Sequence, residues 1–171
     1  MKSFGVSLVV VAVISLIIWG GYLGLARWQF NKNCGDYLKL AGDAPTVERA
    51  DGFLEKAIAY IEKTNMVSGN SSIIFKKPTN DVGIWYAQIK AAKETTEKII
   101  VRGEGVSQLE RDNALMKIRE TVLDQGERGT MVTTPDWISL FPYQLFKVIL
   151  WPILSVLFAI TGAIIVVRND C

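Results

Sequence analysis

Histidine is absent from the 171-residue sequence. Its imidazole is the side chain most often used for proton transfer near neutral pH, and it is also the commonest zinc ligand. Cysteine is scarce as well, because Cys34 and Cys171 are the only two. Two thiols are too few for a multi-cysteine metal site. We therefore predict no catalytic residues, no metal site and no cofactor, and we expect that the protein is not an enzyme.

Clustered charge of one sign is also missing. The segment from Arg27 to Lys147 holds 17 of the 19 basic residues and 16 of the 17 acidic residues, with both signs interspersed. A nucleic-acid-binding face would need basic residues gathered on one side. The pattern instead predicts the solvated surface of a globular domain, with no nucleic acid partner.

Charge is lacking altogether in two long runs at the ends of the chain. No charged residue occurs from Ser3 to Ala26, and a second uncharged run, Val148–Val167, lies near the C-terminal end. As a helix the first run reaches about 36 Å at ~1.5 Å per residue, more than the ~30 Å hydrocarbon core of a bilayer. A helix can cross lipid because it satisfies its own backbone hydrogen bonds. We predict an integral membrane protein with two spans and the lipid bilayer as a partner.

The first uncharged run has a second interpretation as a cleaved leader. Lys2 supplies a basic start, and Gly24-Leu25-Ala26 is a small-x-small end typical of a cleavage site. The apolar stretch is longer than the ~7–15 residues of a leader, so we expect an uncleaved anchor. Long loops cross membranes largely regardless of their charge, and a short N-terminal tail before a signal-like segment favours an extracytoplasmic domain.

Between the two runs, apolar residues recur at helical spacing in three stripes, which predict three helices. The stripes are Val47, Ala50, Leu54, Ala57 and Ile61; Val82, Trp85, Ile89, Ala92, Thr96 and Ile99; and Leu109, Leu115, Met116, Ile118, Val122 and Leu123. The first span is expected to continue to Gly42 as a further helix, with Gly42 as its left-handed cap. The chain from Gly126 to Asp136 is expected to be extended.

The predicted fold class is therefore all-α, with two transmembrane helices flanking an antiparallel helical bundle of three to four helices. The predicted segments are a first transmembrane helix at 4–26, the bundle domain at 27–141, a second transmembrane helix at 142–167 and a short tail at 168–171. In this topology the two cysteines lie on opposite sides of the bilayer. Cys34 is then either a bystander thiol or one half of an intermolecular disulfide, which would require an oxidising compartment.

Aromatic and basic residues predict where the domain meets the membrane interface, the depth that amphipathic rings prefer. These residues are Trp28, Trp137 and Trp151, together with the loop residues Ile73, Ile74, Phe75, Lys76 and Lys77. The loop has two interpretations. Its apolar side chains dip into the interface with the lysines on anionic headgroups, or the segment covers the end of the bundle.

Small residues four apart predict close helix–helix contact in lipid. The first span contains Gly20 and Gly24, and the second contains Ser155, Ala159 and Ala163. These residues pack the two spans against each other or against a partner.

The stretch from Ala114 to Pro142 (ALMKIRETVLDQGERGTMVTTPDWISLFP), with DVGIWYAQIKAAKE upstream, resembles small uncharacterised membrane-anchored helical proteins of cyanobacteria. The similarity covers about residues 49–142 and carries no activity. It implies a bacterial plasma or thylakoid membrane.

We expect a scaffold or accessory subunit of a membrane complex, whose partner is another integral membrane protein or a second copy of this chain. The alternative is a membrane-anchored bundle that binds a ligand near Trp85 and Tyr86 and signals laterally to a partner.

Overall fold

The computed structural model describes residues 2–126, 129–142 and 144–168. The chain forms two compact units. Unit 1 is Met1–Arg27 with Tyr143–Cys171, and unit 2 is Trp28–Pro142. The described residues are mostly helical, which confirms the predicted all-α class apart from one small hairpin. The predicted tail at 168–171 lies outside the described residues after Arg168.

Unit 1 contains two apolar helices. Helix α1 (Lys2–Phe30) continues through a π-helical turn (Asn31–Gly35) into α2 (Asp36–Gly42). Helix α6 (Trp151–Arg168) follows a second π-helical turn, Phe146–Leu150. Both are long and apolar enough to cross a membrane, as the two uncharged runs predict.

Unit 2 is built from four helices and a hairpin. After α2 come α3 (Val47–Lys63), α4 (Val82–Arg102), α5 (Gln108–Val122), β1 (Leu123–Gly126) and β2 (Gly129–Val132), with short 3-10 turns at Pro78–Asn80, Gly103–Gly105 and Ile138–Leu140. Side-chain caps begin three of the helices, because Thr46, Asp81 and Ser107 each accept a hydrogen bond from the backbone N–H three residues later. These caps satisfy amides that a helix start leaves without an intrahelical partner.

The core of unit 2 is made by the apolar stripes of α3 and α4. Every residue of both predicted stripes is buried, from Val47 to Ile61 and from Val82 to Ile99. Side chains at alternating steps of three and four share one helix face, so each helix presents a single apolar strip to its neighbours. From α2 and α5, Leu38 and Ile118 complete the cluster.

The predicted stripe of α5 is wrong at Leu109 and Met116. Both side chains are exposed, whereas Ala114, Ile118 and Val122 are buried. The buried residues are four apart and share one face, and at about 100° per residue Met116 lies on the opposite side of the helix. Apolar character alone therefore placed two solvent-facing residues in the core.

Two local predictions are also corrected by contacts between elements. Strands β1 and β2 pair antiparallel, with Leu123 opposite Val132, where a single extended segment was predicted. Gly42 is the last residue of α2 and is not a left-handed cap. A Cβ at Gly42 would lie 2.5 Å from Cδ1 of Leu123, so a larger residue there would displace the Leu123 side chain that packs against α2.

Leucine-to-alanine substitutions on α3 and α5 distinguish the real core from the apparent one. We expect Leu54→Ala to lower the free energy of unfolding by about 2–5 kcal/mol, because Leu54 is fully buried and truncation leaves a cavity. Leu109→Ala is the matched control and should change it by less than about 0.5 kcal/mol. Urea unfolding of the full chain in detergent, followed by circular dichroism, measures both. Equal losses for the two variants would contradict the assigned core.

Candidate functional site

Unit 1 has a narrow contact between α1 and α6, called here the seam. Gly5 and Gly162 lie at its closest point. A Cβ added to Gly162 would lie 2.7 Å from the carbonyl oxygen of Gly5, and one added to Gly5 would lie 2.8 Å from the carbonyl oxygen of Gly162. Ala12 is also buried. Only residues this small allow the two backbones to approach so closely.

Three polar side chains form a closed hydrogen-bond circuit in the seam. The indole Nε1 of Trp151 donates to Oγ of Ser15 at 3.0 Å. The Oγ atoms of Ser15 and Ser155 are 2.9 Å apart. The Ser155 hydroxyl donates to the Trp151 carbonyl at 3.2 Å, which leaves the Ser15 hydroxyl to donate to Ser155. Each side-chain hydroxyl is therefore both donor and acceptor, a pairing that polar groups need in an apolar setting.

The π-helical turn before α6 explains a second cross-helix hydrogen bond. Within that turn the Trp151 N–H donates to the carbonyl of Phe146, five residues earlier. The next residue in this register is Pro152, which has no N–H to donate to the carbonyl of Lys147. That carbonyl accepts the indole N–H of Trp19 at 2.6 Å. The Trp19 indole thus donates to a carbonyl to which Pro152 cannot donate.

The structure places the predicted contact residues unequally. Ser155 lies in the seam, Ala159 is half-buried and Ala163 is exposed. A Cβ at Gly20 or Gly24 would have no neighbouring atom within 4 Å, so these glycines do not pack the two described helices together. The remaining alternative for them, contact with a partner, stays a prediction.

The residues that do form the α1 side of the seam have a recognisable spacing. Gly5, Leu8, Ala12, Ser15 and Trp19 recur at alternating steps of three and four, which is the heptad pattern of two packed helices. A search for paired small residues four apart misses this pattern, whereas a search for small or polar residues at heptad positions would have found it.

In unit 2 most of the predicted interface residues are on the surface. Ile74 and Phe75 are 68% and 78% exposed, and Lys76 and Lys77 are exposed beside them, whereas Ile73 is half-buried. Trp28 and Trp137 are about half exposed, and the ammonium of Lys32 lies 4.9 Å from the centre of the Trp28 ring. The interpretation in which this loop covers the end of the bundle is wrong for Ile74 and Phe75. Trp151, in unit 1, uses its indole N–H inside the seam.

Lys93 and Asp51 of unit 2 form a largely buried ion pair. Nζ of Lys93 lies 2.7 Å from Oδ1 of Asp51, and the Thr96 hydroxyl donates to the same oxygen at 2.6 Å. Desolvation would lower the pKa of Lys93, but the hydrogen bond and charge of Asp51, helped by Glu97, outweigh it and raise the pKa. The pair joins α3 to α4. Among the described residues, no group of three or more carboxylates and cysteines is placed to hold a metal ion.

Cys34 is a core residue with no exposed surface. Burial in apolar surroundings raises the pKa of its thiol to about 12, because a thiolate would lose its hydration there. The interpretation as an intermolecular disulfide is therefore wrong for Cys34, since no second chain can reach a fully buried sulfur. Cys171 lies outside the described residues.

The expected ligand pocket near Trp85 and Tyr86 is not supported by the packing there. The Trp85 ring centre lies 6.4 Å from that of Phe30, and its Nε1 donates to the Thr133 carbonyl at 2.9 Å. The Tyr86 hydroxyl donates to Glu62 at 2.5 Å, and this bond raises the pKa of Tyr86 to about 12. Open grooves occur on the described part of unit 2, one of them about 530 Å³ beside Met116 and Arg119, and neither Trp85 nor Tyr86 lines that groove or the grooves along α4 and α5.

Comparison with protein-family models, with curated proteins and with solved structures finds no match for this chain. The resemblance to cyanobacterial membrane proteins therefore stays a prediction. Two features are candidates for a functional role: the seam in unit 1, where two backbones lie very close together, and the loop of unit 2, which exposes large apolar side chains.

Leucine substitutions at two glycines separate the seam from the open face of α1. We expect Gly162→Leu to force α1 and α6 apart, at a cost of about 1–3 kcal/mol, because its side chain would overlap the Gly5 backbone. Gly24→Leu is the matched control and should have no such effect. The measurement is disulfide formation between cysteines introduced as Ser15→Cys and Ser155→Cys, scored by counting free thiols after denaturation. High cross-linking in the Gly162→Leu variant would show that the seam is not as tight as described.

The raised pKa of Cys34 predicts a loss of stability in alkali. Below about pH 9 the thiol is protonated in the folded and unfolded chains alike. Between about pH 9 and pH 12 only the unfolded chain releases this proton, so the free energy of unfolding falls as the pH rises. Urea unfolding across this range, compared with the Cys34→Ala variant in a Cys171→Ser background, isolates the contribution. Identical pH dependence in both proteins would contradict the assigned environment of the thiol.

Proposed function

We propose that the protein is a two-pass integral membrane protein that acts as a non-enzymatic scaffold or accessory subunit of a membrane complex, with unit 2 on the extracytoplasmic side. The observation that supports this best is the exposure of the two apolar helices. Only 6% of the most apolar stretch of the first helix and 11% of that of the second are buried. A core helix of a soluble protein would be mostly buried.

Lipid is the solvent that suits such a surface. Each large apolar side chain left in water forgoes about 1.5–3 kcal/mol relative to burial, and α1 and α6 expose more than a dozen of them. In a bilayer the same side chains contact acyl chains, while the backbone polar groups are satisfied within each helix. The exposure that would be unstable in water is therefore expected of a pair of spans.

The seam supports an uncleaved first helix. Cleavage after Ala26 would remove Gly5, Ser15 and Trp19, which are the partners of Gly162, Ser155 and the Lys147 carbonyl. The second helix would then expose small and polar groups that fit α1. A leader peptide has no need of such complementary packing, so the contact favours a permanent anchor.

The surfaces left open favour a binding role over a catalytic one. The ion pair of Lys93 with Asp51 joins α4 to α3, and the buried thiol is protonated at physiological pH. Gly20 and Gly24, by contrast, form a strip on α1 with open space beside it. A transmembrane helix of another protein, or of a second copy of this chain, can approach such a strip closely.

Extraction and co-purification from native membranes test the proposal together. We expect the protein to remain in the membrane in alkaline carbonate and to co-purify with a stoichiometric partner in mild detergent. Gly24→Leu should abolish the partner, because the leucine fills the space beside the strip, and should leave the cross-link between positions 15 and 155 intact.

The control is a leucine substitution at Val11, whose side chain is exposed on the side of α1 opposite the strip. It should retain the partner. Release of the protein by carbonate would contradict the two spans, and a monomer under conditions that preserve other membrane complexes would contradict the scaffold role. Protease added outside sealed vesicles should digest unit 2, and protection of unit 2 would reverse the proposed orientation.

A further inference from the structure

We propose that the loop tip, Ile73–Lys77, inserts into the interface of an anionic bilayer leaflet and docks unit 2 on it. Ile74 and Phe75 enter the boundary of the acyl chains, and Lys76 and Lys77 contact negatively charged headgroups. This inference rests on the proposed function, because it takes the same bilayer that holds α1 and α6 as the surface.

The base of the loop is held by a dense set of hydrogen bonds. Asn70 and Asp81 form a β-bridge, and the Ser71 N–H donates to the Asn80 carbonyl at 2.8 Å. The Asn70 side chain donates to the Lys77 carbonyl at 2.8 Å and accepts from the Ser72 N–H at 3.0 Å. The tip therefore projects from a fixed base.

The base is also bonded to the segment that follows the hairpin. The Asn80 amide donates to Asp136 at 3.3 Å and accepts from the Asp136 backbone N–H at 3.2 Å. The neighbouring residue Trp137 is 48% exposed. An exposed indole thus lies next to the loop base, and indoles prefer the membrane–water interface.

The tip lies at the end of unit 2 where the chain enters and leaves. Phe30, two residues after the start of unit 2, packs against Trp85 in the first turn of α4. Gly69, at the loop base, is so close to Phe141 that an added Cβ would lie 3.1 Å from its ring. Phe141 is one residue from the end of unit 2. The tip therefore lies at the same end of unit 2 as both of the unit's chain ends.

The composition of the tip fits an anionic surface. Two large apolar side chains are followed directly by two lysines, and the tip contains no acidic residue. Each lysine close to an anionic leaflet contributes about 1 kcal/mol, roughly a fivefold change in the inserted population. Neighbouring apolar rings and ammonium groups suit the boundary between acyl chains and headgroups.

Depth-dependent fluorescence quenching in vesicles tests the inference with the full chain. An environment-sensitive fluorophore is attached to a single cysteine at Ile74, at Ile14 or at Val101, in a Cys171→Ser background where the buried Cys34 does not react. Ile14 is exposed on α1, and Val101 is exposed near the far end of α4. Vesicles contain phosphatidylcholine alone or with phosphatidylglycerol, and quencher-bearing lipids are added to each.

We expect quenching at positions 14 and 74 but not at 101. Quenching at 74 should increase with phosphatidylglycerol, and the Lys76→Glu/Lys77→Glu variant should lose this increase. The matched control, Lys98→Glu/Lys117→Glu, changes two lysines beside a groove between α4 and α5 and should behave like the parent protein.

Four results would overturn the inference. Quenching at 14 with none at 74 would overturn it while the proposed function stands, whereas no quenching at any position would remove both. Quenching at 74 that is indifferent to lipid charge and to the lysine substitutions would refute the headgroup contact. A fluorescence shift at 74 that needs a co-purified protein would assign the tip to that protein instead of to lipid.

Discussion

Two apolar helices surrounded by lipid gain little from burying apolar side chains against each other, because the acyl chains are equally apolar. Their association then depends on close backbone approach and on hydrogen bonds that lipid cannot supply. The seam contains both. Gly5 and Gly162 bring the backbones together, while Ser15, Ser155 and the indoles of Trp19 and Trp151 exchange hydrogen bonds across it. The same contacts would contribute far less in water, where solvent competes for every donor and acceptor.

Unit 2 follows the opposite rule, since its stability comes from apolar stripes removed from water. Leu54, Ile61 and Ile89 lie in one cluster with Cys34, and the raised pKa of that thiol is a consequence of the same burial. At the contact between α3 and α4, the charged side chains of Lys93 and Asp51 pair with each other. On the proposed function the chain joins a pair of helices that lies in lipid to a bundle that lies in water, and each unit has the kind of packing that is stable in its own solvent.

The sequence predicts features that depend on the local spacing of residues. It does not predict features that depend on contacts between segments far apart in the chain. The stripes of α3 and α4 follow from residues within one or two turns of each other, and the structure confirms them. The exposure of Met116 depends on which side of α5 meets α2 and α4. Gly42 depends on Leu123, which is distant in sequence. The small-residue motif at Gly20 and Gly24 and the heptad through Gly5 and Ala12 are both visible in the sequence, but only the contact with α6 shows which of the two packs the described helices together.

The loop tip shows the same limit, because its base is hydrogen-bonded through Asn80 to Asp136, a residue far away in the sequence. Two apolar side chains and two lysines would bind a membrane only weakly as a free segment. On the proposed arrangement the tip is tethered, so its contact with lipid is an intramolecular step with a high effective concentration. A contact that is weak for a free segment then suffices to hold the tethered tip at the interface.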